Sequence, residues 1–299
     1  MYSDLLKILP PDCIKVNEPM KNHTSFKIGG PVDMLIEPDN TQQVKEVISW
    51  TKANNQPLLV FGLGSNLLVR DKGIRGIAVK LGNNLNKVSV RTNVIEAEAG
   101  VRLSVLAKQA AFNSLTGLEF AEGIPGSLGG AVFMNAGAYD GEMKEVLMRV
   151  TAISPTGEIK TFNGDEMQMS YRKSIFQTNG HYILTAELGL QPGDKNEILA
   201  KMQKFAQSRR EKQPLEYPSA GSTFKRPVGH YVGPMLEELG LKGFTMGGAQ
   251  VSAKHAGFII NTGNATAQDV LDLISYIQAQ VAAKYGINLE PELKIIGEE

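Results

Sequence analysis

A chain of 299 residues has room for two or three domains of ordinary size. Hydrophobic residues make up 42% and charged residues 21%, a balance that supports a packed core and excludes a disordered polymer. Lys plus Arg and Asp plus Glu number 31 each, so the near-zero net charge excludes a broad surface for nucleic acid or acidic membrane and leaves room for a local phosphate pocket.

Residues 1–20 read as a short helix and a loop. The start, MYSDLLKILPPD, has neither the basic opening nor the long apolar stretch of a secretory signal, and no apolar run approaches the ~18 residues of a membrane span. Cys13 is the only cysteine; it allows no internal disulfide and no CxxC chemistry, and it fits a reducing, cytoplasmic home. VDMLIEP (32–38) reads as a strand stopped by Pro38. Asn40 or Thr41 can cap a helix over 42–54, where Val44, Val47, Ile48 and Thr51 follow the helical period. PLLVF (57–61), IAVKL (77–81), VSV (88–90) and VIEAEA (94–99) read as strands. Helix 102–113 carries Leu103, Leu106 and Ala110 on one face.

VTAISPTGEIKTF (150–162) reads as a hairpin with a Pro-Thr-Gly turn, and HYILTAELGL (181–190) as another strand. A charged helix, 195–211, ends in Ser-Arg-Arg-Glu, and Lys212-Gln213-Pro214 marks a boundary. A helix is expected over 232–240, strand segments at 249–252 and 257–262, and a long helix over 267–284 with Val270, Leu273, Ile274, Ile277 and Val281 in register. Gly286 stops it, and 287–297 reads as a closing strand. The absence of a regular βαβ rhythm points to α+β.

Two glycine clusters interrupt this pattern. In PLLVFGLGSNLLV (57–69) a strand meets Gly62, Gly64, Ser65 and Asn66. A Rossmann turn would place a third glycine at Leu67 and start a helix there; the following LLV has strand character instead. Two readings stay open, a nest of backbone N–H groups that holds phosphate and a plain hairpin turn. The second cluster, EGIPGSLGGAVFMNAGAYDGE (122–142), has six glycines with small residues between them. It reads as a backbone surface against a large flat ligand, or as a glycine-packed turn.

NHTSFKIGGPVDMLIEP (22–38), VFGLGSNLLV (60–69), EGIPGSLGGAVFMNAGAY (122–139), SYRKSIF (170–176), SAGSTFKRP (219–227) and LEPELKIIG (289–297) occur in this order. Together they closely resemble the UDP-N-acetylenolpyruvoylglucosamine reductase family of bacterial cell-wall synthesis, across nearly the whole chain. The resemblance implies an FAD-binding fold of the vanillyl-alcohol oxidase and p-cresol methylhydroxylase type, which holds FAD without the Rossmann fingerprint. It implies two FAD-binding subdomains, 1–82 and 83–205, with strand 287–299 returning to the first, and a substrate domain at 206–299. The segment before Lys212-Gln213-Pro214 is short, so the chain resembles the shorter members that lack an additional tyrosine-bearing stretch.

In that family NADPH reduces FAD, and the reduced flavin and a proton saturate the enolpyruvyl ether of UDP-N-acetylglucosamine enolpyruvate. By resemblance Ser222 donates the proton, Arg172 grips the carboxylate and Glu292 assists. Glu290, two residues away, is the neighbour most easily confused with Glu292. Gly62, Gly64, Ser65 and Asn66 are expected at the pyrophosphate. Gly123, Ile124, Pro125, Gly126, Gly129, Gly130, Asn135, Gly137 and Ala138 are expected along flavin and adenosine. Phe26, Ile28 and Gly29 touch the cofactor or pack the core. Tyr171, Lys225, Arg226 and His255 are expected at the substrate, with Lys254 beside the histidine.

His23, His181 and His230 have no metal-ligand spacing, and no metal is expected. A flavin oxidase is the alternative enzyme, but no Cys or His other than His23 lies in the flavin motifs to tether the cofactor. A nucleotide-sugar-binding regulator would not need Ser222, Arg172 and Glu292 together. The implied protein is a cytoplasmic monomer acting on small molecules, with neither nucleic acid nor membrane as partner.

Overall fold

The computed structural model describes residues 5–82 and 84–299; the first four residues of the expected N-terminal helix lie outside them. The chain divides into two compact units. The first takes the described residues up to Val16, Met34–Leu63 and Gly76–Arg209; the second takes Asn17–Asp33, Gly64–Arg75 and Arg210–Glu299. Each is assembled from separated stretches of sequence.

The first unit holds helices α1 (Leu5–Ile8), α2 (Thr41–Ala53), α3 (Leu103–Phe112), α4 (Leu128–Met134) and most of α5 (Lys195–Lys212). Its main sheet is antiparallel, in the order Ile159–Asn163, Leu147–Ile153, Tyr182–Gly189, Val94–Glu98, Val88–Arg91. The expected hairpin closes through Ser154 N–H donating to Glu158 at 2.8 Å, with Gly157 at φ +86°. α2 begins where Asn40 accepts the Gln43 amide at 3.0 Å, a cap worth about 1 kcal/mol. It buries Val44, Val47, Ile48, Trp50 and Thr51. The apolar ones among these side chains join Ile95, Leu103, Leu106, Leu128, Val132, Val150 and Leu188 in one core.

α4 is a helix that the glycine cluster concealed. Gly129 and Gly130 depress helix propensity in its first turn, yet Leu128, Ala131, Val132 and Met134 are buried and tertiary packing prevails. Gly129 lies against Ala99, whose carbonyl accepts its amide at 2.8 Å.

The second unit holds α6 (Val232–Glu238), α7 (Ala267–Tyr285) and an antiparallel sheet ordered Ser219–Ser222, Phe258–Asn261, Ala249–Val251, Thr245–Met246. α7 starts with a capping box between Thr266 and Asp269 and stops at Gly286, in the left-handed region. Val270, Leu273, Ile274, Ile277 and Val281 bury in register, as their spacing implies. Phe26 and Ile28 belong to the same core, so packing accounts for them. Helices and largely antiparallel strands make the chain α+β, the class its pattern indicated.

The strand segments on either side of the first glycine loop do not form a hairpin. Leu58–Phe61 pairs in parallel with residues 77–80, and Leu67–Val69 pairs in parallel with Lys294–Ile296. The hairpin reading of Gly62–Asn66 therefore falls. Only Lys294–Ile296 of the expected closing strand 287–297 is strand.

Candidate active site

In the first unit two glycine-bearing segments are drawn together by specific contacts. A Cβ on Gly62 would lie 2.0 Å from Ser127 Oγ, so glycine lets the loop after Leu58–Phe61 rest on the N-cap of α4 without displacing that hydroxyl. The loop at 122–126 is tied back on itself: Ile124 N–H donates to Ala121 at 3.2 Å and Gly126 N–H to Ile124 at 2.8 Å. The Gly126 carbonyl accepts the Leu103 amide at 3.0 Å. Gly123, Pro125 and Gly130 are exposed, which leaves backbone available to a ligand. Beside them Glu122 Oε2 is buried without a hydrogen-bond partner.

Asn135 closes a network within the protein. It is fully buried, with φ +43°, and its amide serves the protein. Nδ2 donates to Glu142 at 2.9 Å and to the Ser170 carbonyl at 3.0 Å, while Oδ1 accepts the Lys144 amide at 3.0 Å. Asn135 thereby joins the end of α4 to the paired strands Gly137–Ala138 and Gly141–Glu142 and to the turn that carries Arg172. That turn is closed by reciprocal backbone bonds between Ser170 and Lys173, at 3.1 and 3.0 Å. Arg172 sits in the left-handed region at φ +56°, a conformation that costs a side-chain-bearing residue about 1 kcal/mol. Gln177 holds the strained carbonyl at 3.0 Å. The guanidinium donates to the Gly137 carbonyl at 3.2 Å and lies 4.9 Å from the centre of the half-exposed Tyr171 ring.

In the second unit Ser222, Lys225 and Glu292 come from two segments that run side by side. Phe224 and Pro291 form an antiparallel bridge. Glu292 N–H donates to Thr223 at 2.8 Å and Lys225 N–H to Glu290 at 2.9 Å. Thr223 is the anchor: it is buried, and its hydroxyl accepts the Ile259 amide at 3.0 Å. Ser222, its neighbour, is exposed at the end of its strand. Asn66 reaches the same place, donating to the Glu292 carbonyl at 3.1 Å and accepting Lys294 N–H at 2.8 Å. Gly64 and Ser65 precede it, their carbonyls bonded by Ser25 at 3.2 and 3.3 Å. The first glycine loop is thus shared, with Gly62 in one unit and Gly64, Ser65 and Asn66 in the other.

The Lys225 ammonium is ion-paired with Glu290, which separates the two glutamates: Glu290 holds the lysine, while Glu292 is fastened by its backbone. Burial pushes the Lys294 ammonium below its usual range, and the nearby Lys225 charge adds to that. Lys294 was not picked out by sequence reasoning; its spacing of two from Glu292 was the available signal. Arg226 stacks 3.7 Å from the centre of the Tyr231 ring. His255 is half-buried, and its Nδ1 accepts the Gly257 amide at 3.1 Å, so the neutral ring carries its proton on Nε2. Burial lowers its pKa. Lys254 points to Arg210 and Glu216.

Arg209 and Glu122 were missed as well. Arg209 follows Ile198 and Met202 on the buried stripe of α5, and that helical register could have exposed it. Among the described residues no three His, Cys, Asp or Glu side chains group to hold a metal ion, and no helix is long and apolar enough to cross a membrane.

A family model described as an FAD binding domain matches residues 32–163. The accessible glycine backbone and the orphaned carboxylate oxygen of Glu122 fit a dinucleotide with donor groups of its own. A second family model, the C-terminal domain of UDP-N-acetylenolpyruvoylglucosamine reductase, matches residues 213–296. The reductase of that name from Syntrophomonas wolfei is 58% identical over 299 residues, all of both chains. The one from Caldanaerobacter subterraneus is 51% identical, covering 100% of this chain and 99% of its own. The crystal structure of the Thermus caldophilus reductase aligns with TM-score 0.82 and 33% identity, over 94% of this chain and 99% of that one. The chain therefore belongs to the UDP-N-acetylenolpyruvoylglucosamine reductase family, a family of FAD oxidoreductases that serves peptidoglycan precursor synthesis.

Proposed function

We propose that the chain reduces UDP-N-acetylglucosamine enolpyruvate to UDP-N-acetylmuramate with NADPH as the electron source. The observation that carries this reading is the 58% identity to a reductase of that name along the full length of both chains. Bound FAD supplies a two-electron relay between NADPH and the enolpyruvyl double bond.

The chain's own residues divide the remaining work. Gly62, Gly64, Ser65 and Asn66 hold the pyrophosphate, and Gly123, Ile124, Pro125, Gly126 and Gly130 lie along the flavin and adenosine. Gly129, Asn135, Gly137 and Ala138 set the shape of that surface. Arg172 grips the substrate carboxylate with its planar fork and stabilises the negative charge that develops there. Ser222 hands a proton to the second carbon, and Glu292 supports the carboxylate end. Lys225, Arg226, Tyr171 and His255 bind the sugar nucleotide. The three-part organisation, the monomeric state and the cytoplasmic setting belong to the same reading, which involves no nucleic acid or membrane.

The test is colour and turnover. A purified yellow protein should oxidise NADPH only when the enolpyruvyl sugar nucleotide is added. Rapid NADPH oxidation with oxygen alone would favour a flavin oxidase and sink this assignment.

A further inference from the structure

α5 is an exposed, charged helix that buries only Ile198, Met202 and Arg209. An arginine among the buried residues of such a helix is costly unless its guanidinium is engaged. Arg209 is 9% exposed. Its Nη1 donates to the Gly123 carbonyl at 3.2 Å. Its Cδ lies 2.8 Å from where a Gly123 Cβ would sit, and Gly123 stands at φ +77°. Its guanidinium carbon is 5.6 Å from the centre of the Tyr139 ring. That ring stacks on Phe205 with centroids 4.2 Å apart and planes within 1°, and its hydroxyl donates to the Phe205 carbonyl at 3.1 Å. Burial pushes the Arg209 pKa down, opposed by Tyr139 and by the charge of Glu122; the Glu122 Oε2 is buried with no hydrogen-bond partner.

The last turns of α5 therefore meet the loop at 122–126 through one guanidinium, beside an aromatic face. Residues 122 and 209 stand 87 positions apart in sequence, so fixing the loop this way requires the folded unit. We propose that Arg209 is a positioning residue: it presets the backbone of residues 122–126 for the dinucleotide, and that backbone carries Glu122, whose Oε2 accepts a hydroxyl or amine donor from that ligand. The proposal rests on the reading of this loop as part of the FAD surface. Preforming the loop spares binding the cost of ordering it.

The experiment is FAD titration into stripped wild type, R209Q and R209K, followed by the change in flavin fluorescence. The visible spectrum of each protein is recorded at saturating FAD. R209Q should weaken FAD roughly ten- to hundredfold, the fold-change that losing a charge-assisted hydrogen bond brings, and its bound-flavin spectrum should differ from wild type. R209K should recover part of both, because it keeps the cation and loses the fork. A folded R209Q with wild-type affinity and an unaltered spectrum overturns the proposal, since a merely stabilising arginine would leave both alone once the protein is folded. If R209Q does not fold, Y139L leaves the arginine and removes the ring beside it. Weakened FAD binding there supports the proposal, and wild-type affinity overturns it. A wild-type chain that takes up no FAD would overturn the functional reading beneath it, an outcome visible before any variant is made.

Discussion

The amide of Glu292 donates to the carbonyl of Thr223 at 2.8 Å. This bond sets the backbone beside Ser222 against the segment that carries the candidate glutamate, across 69 positions of sequence. If Ser222 is the proton donor, S222A should leave reduction of the flavin by NADPH near normal. The second half-reaction should slow by about 10²-fold or more. Single-turnover absorbance at the flavin band separates the two steps. Loss of the first step with FAD still bound would remove Ser222 from this role.

Arg172 holds a left-handed backbone and places its guanidinium on the Gly137 carbonyl. R172K keeps a cation but not the fork. It should lower turnover by roughly 10²–10³-fold, the range seen when one donor to a developing oxyanion is lost, with FAD content unchanged. R172G would relieve the backbone strain and should fold at least as well as R172K. Turnover at the wild-type rate in R172K would exclude bidentate carboxylate binding as its task.

Asp71 caps α7 from a distant segment. Its two carboxylate oxygens accept the amides of Ala267 and Gln268 at 2.9 and 3.1 Å. D71A should lower stability by about 1 kcal/mol, as loss of a capping acceptor does, and D71N should recover part of it. Urea denaturation measures this, with activity at low temperature unaltered.

The His255 ring is held neutral by burial, with Lys242 opposing its protonation and Glu237 favouring it. Its folded pKa lies below the unfolded value, so the unfolded chain binds the proton more readily. The resulting stability is present above about pH 6.5, the ordinary histidine value, and is lost as pH falls through that value toward the folded pKa. The thermal midpoint of the wild type should therefore decline on acidification through this window, and H255Q should flatten the decline. An equal slope in both proteins would assign it to other groups.

Elements with a strong period are legible in the sequence. α2 and α7 lie within a residue or two of where their apolar spacing and caps put them. α4 is not legible, because two glycines in its first turn erase the local signal while its packing on Ala99 is long-range. Arg209 looks like surface charge at the end of a polar helix, although its place about three turns along the Ile198 stripe marks it as inward-facing. The candidate site is legible as motifs, and the family to which they point is the one the chain belongs to. Their spatial pairing is not: nothing in LEPELKIIG tells that its strand lies against Leu67–Val69 or that Lys225 takes Glu290 as its partner.

The sequence by itself determined the mixed class, the positions of the glycine clusters and the family, because composition, period and motif order are local properties of a chain. Tertiary structure alone decided which strand pairs with which and that the first glycine loop is no hairpin. It also decided that Phe26 and Ile28 serve the core and that an arginine from α5 closes beneath Gly123. Those outcomes depend on burial and on contacts between residues scores of positions apart, and such contacts are stable only when the whole unit has paid the entropy of folding.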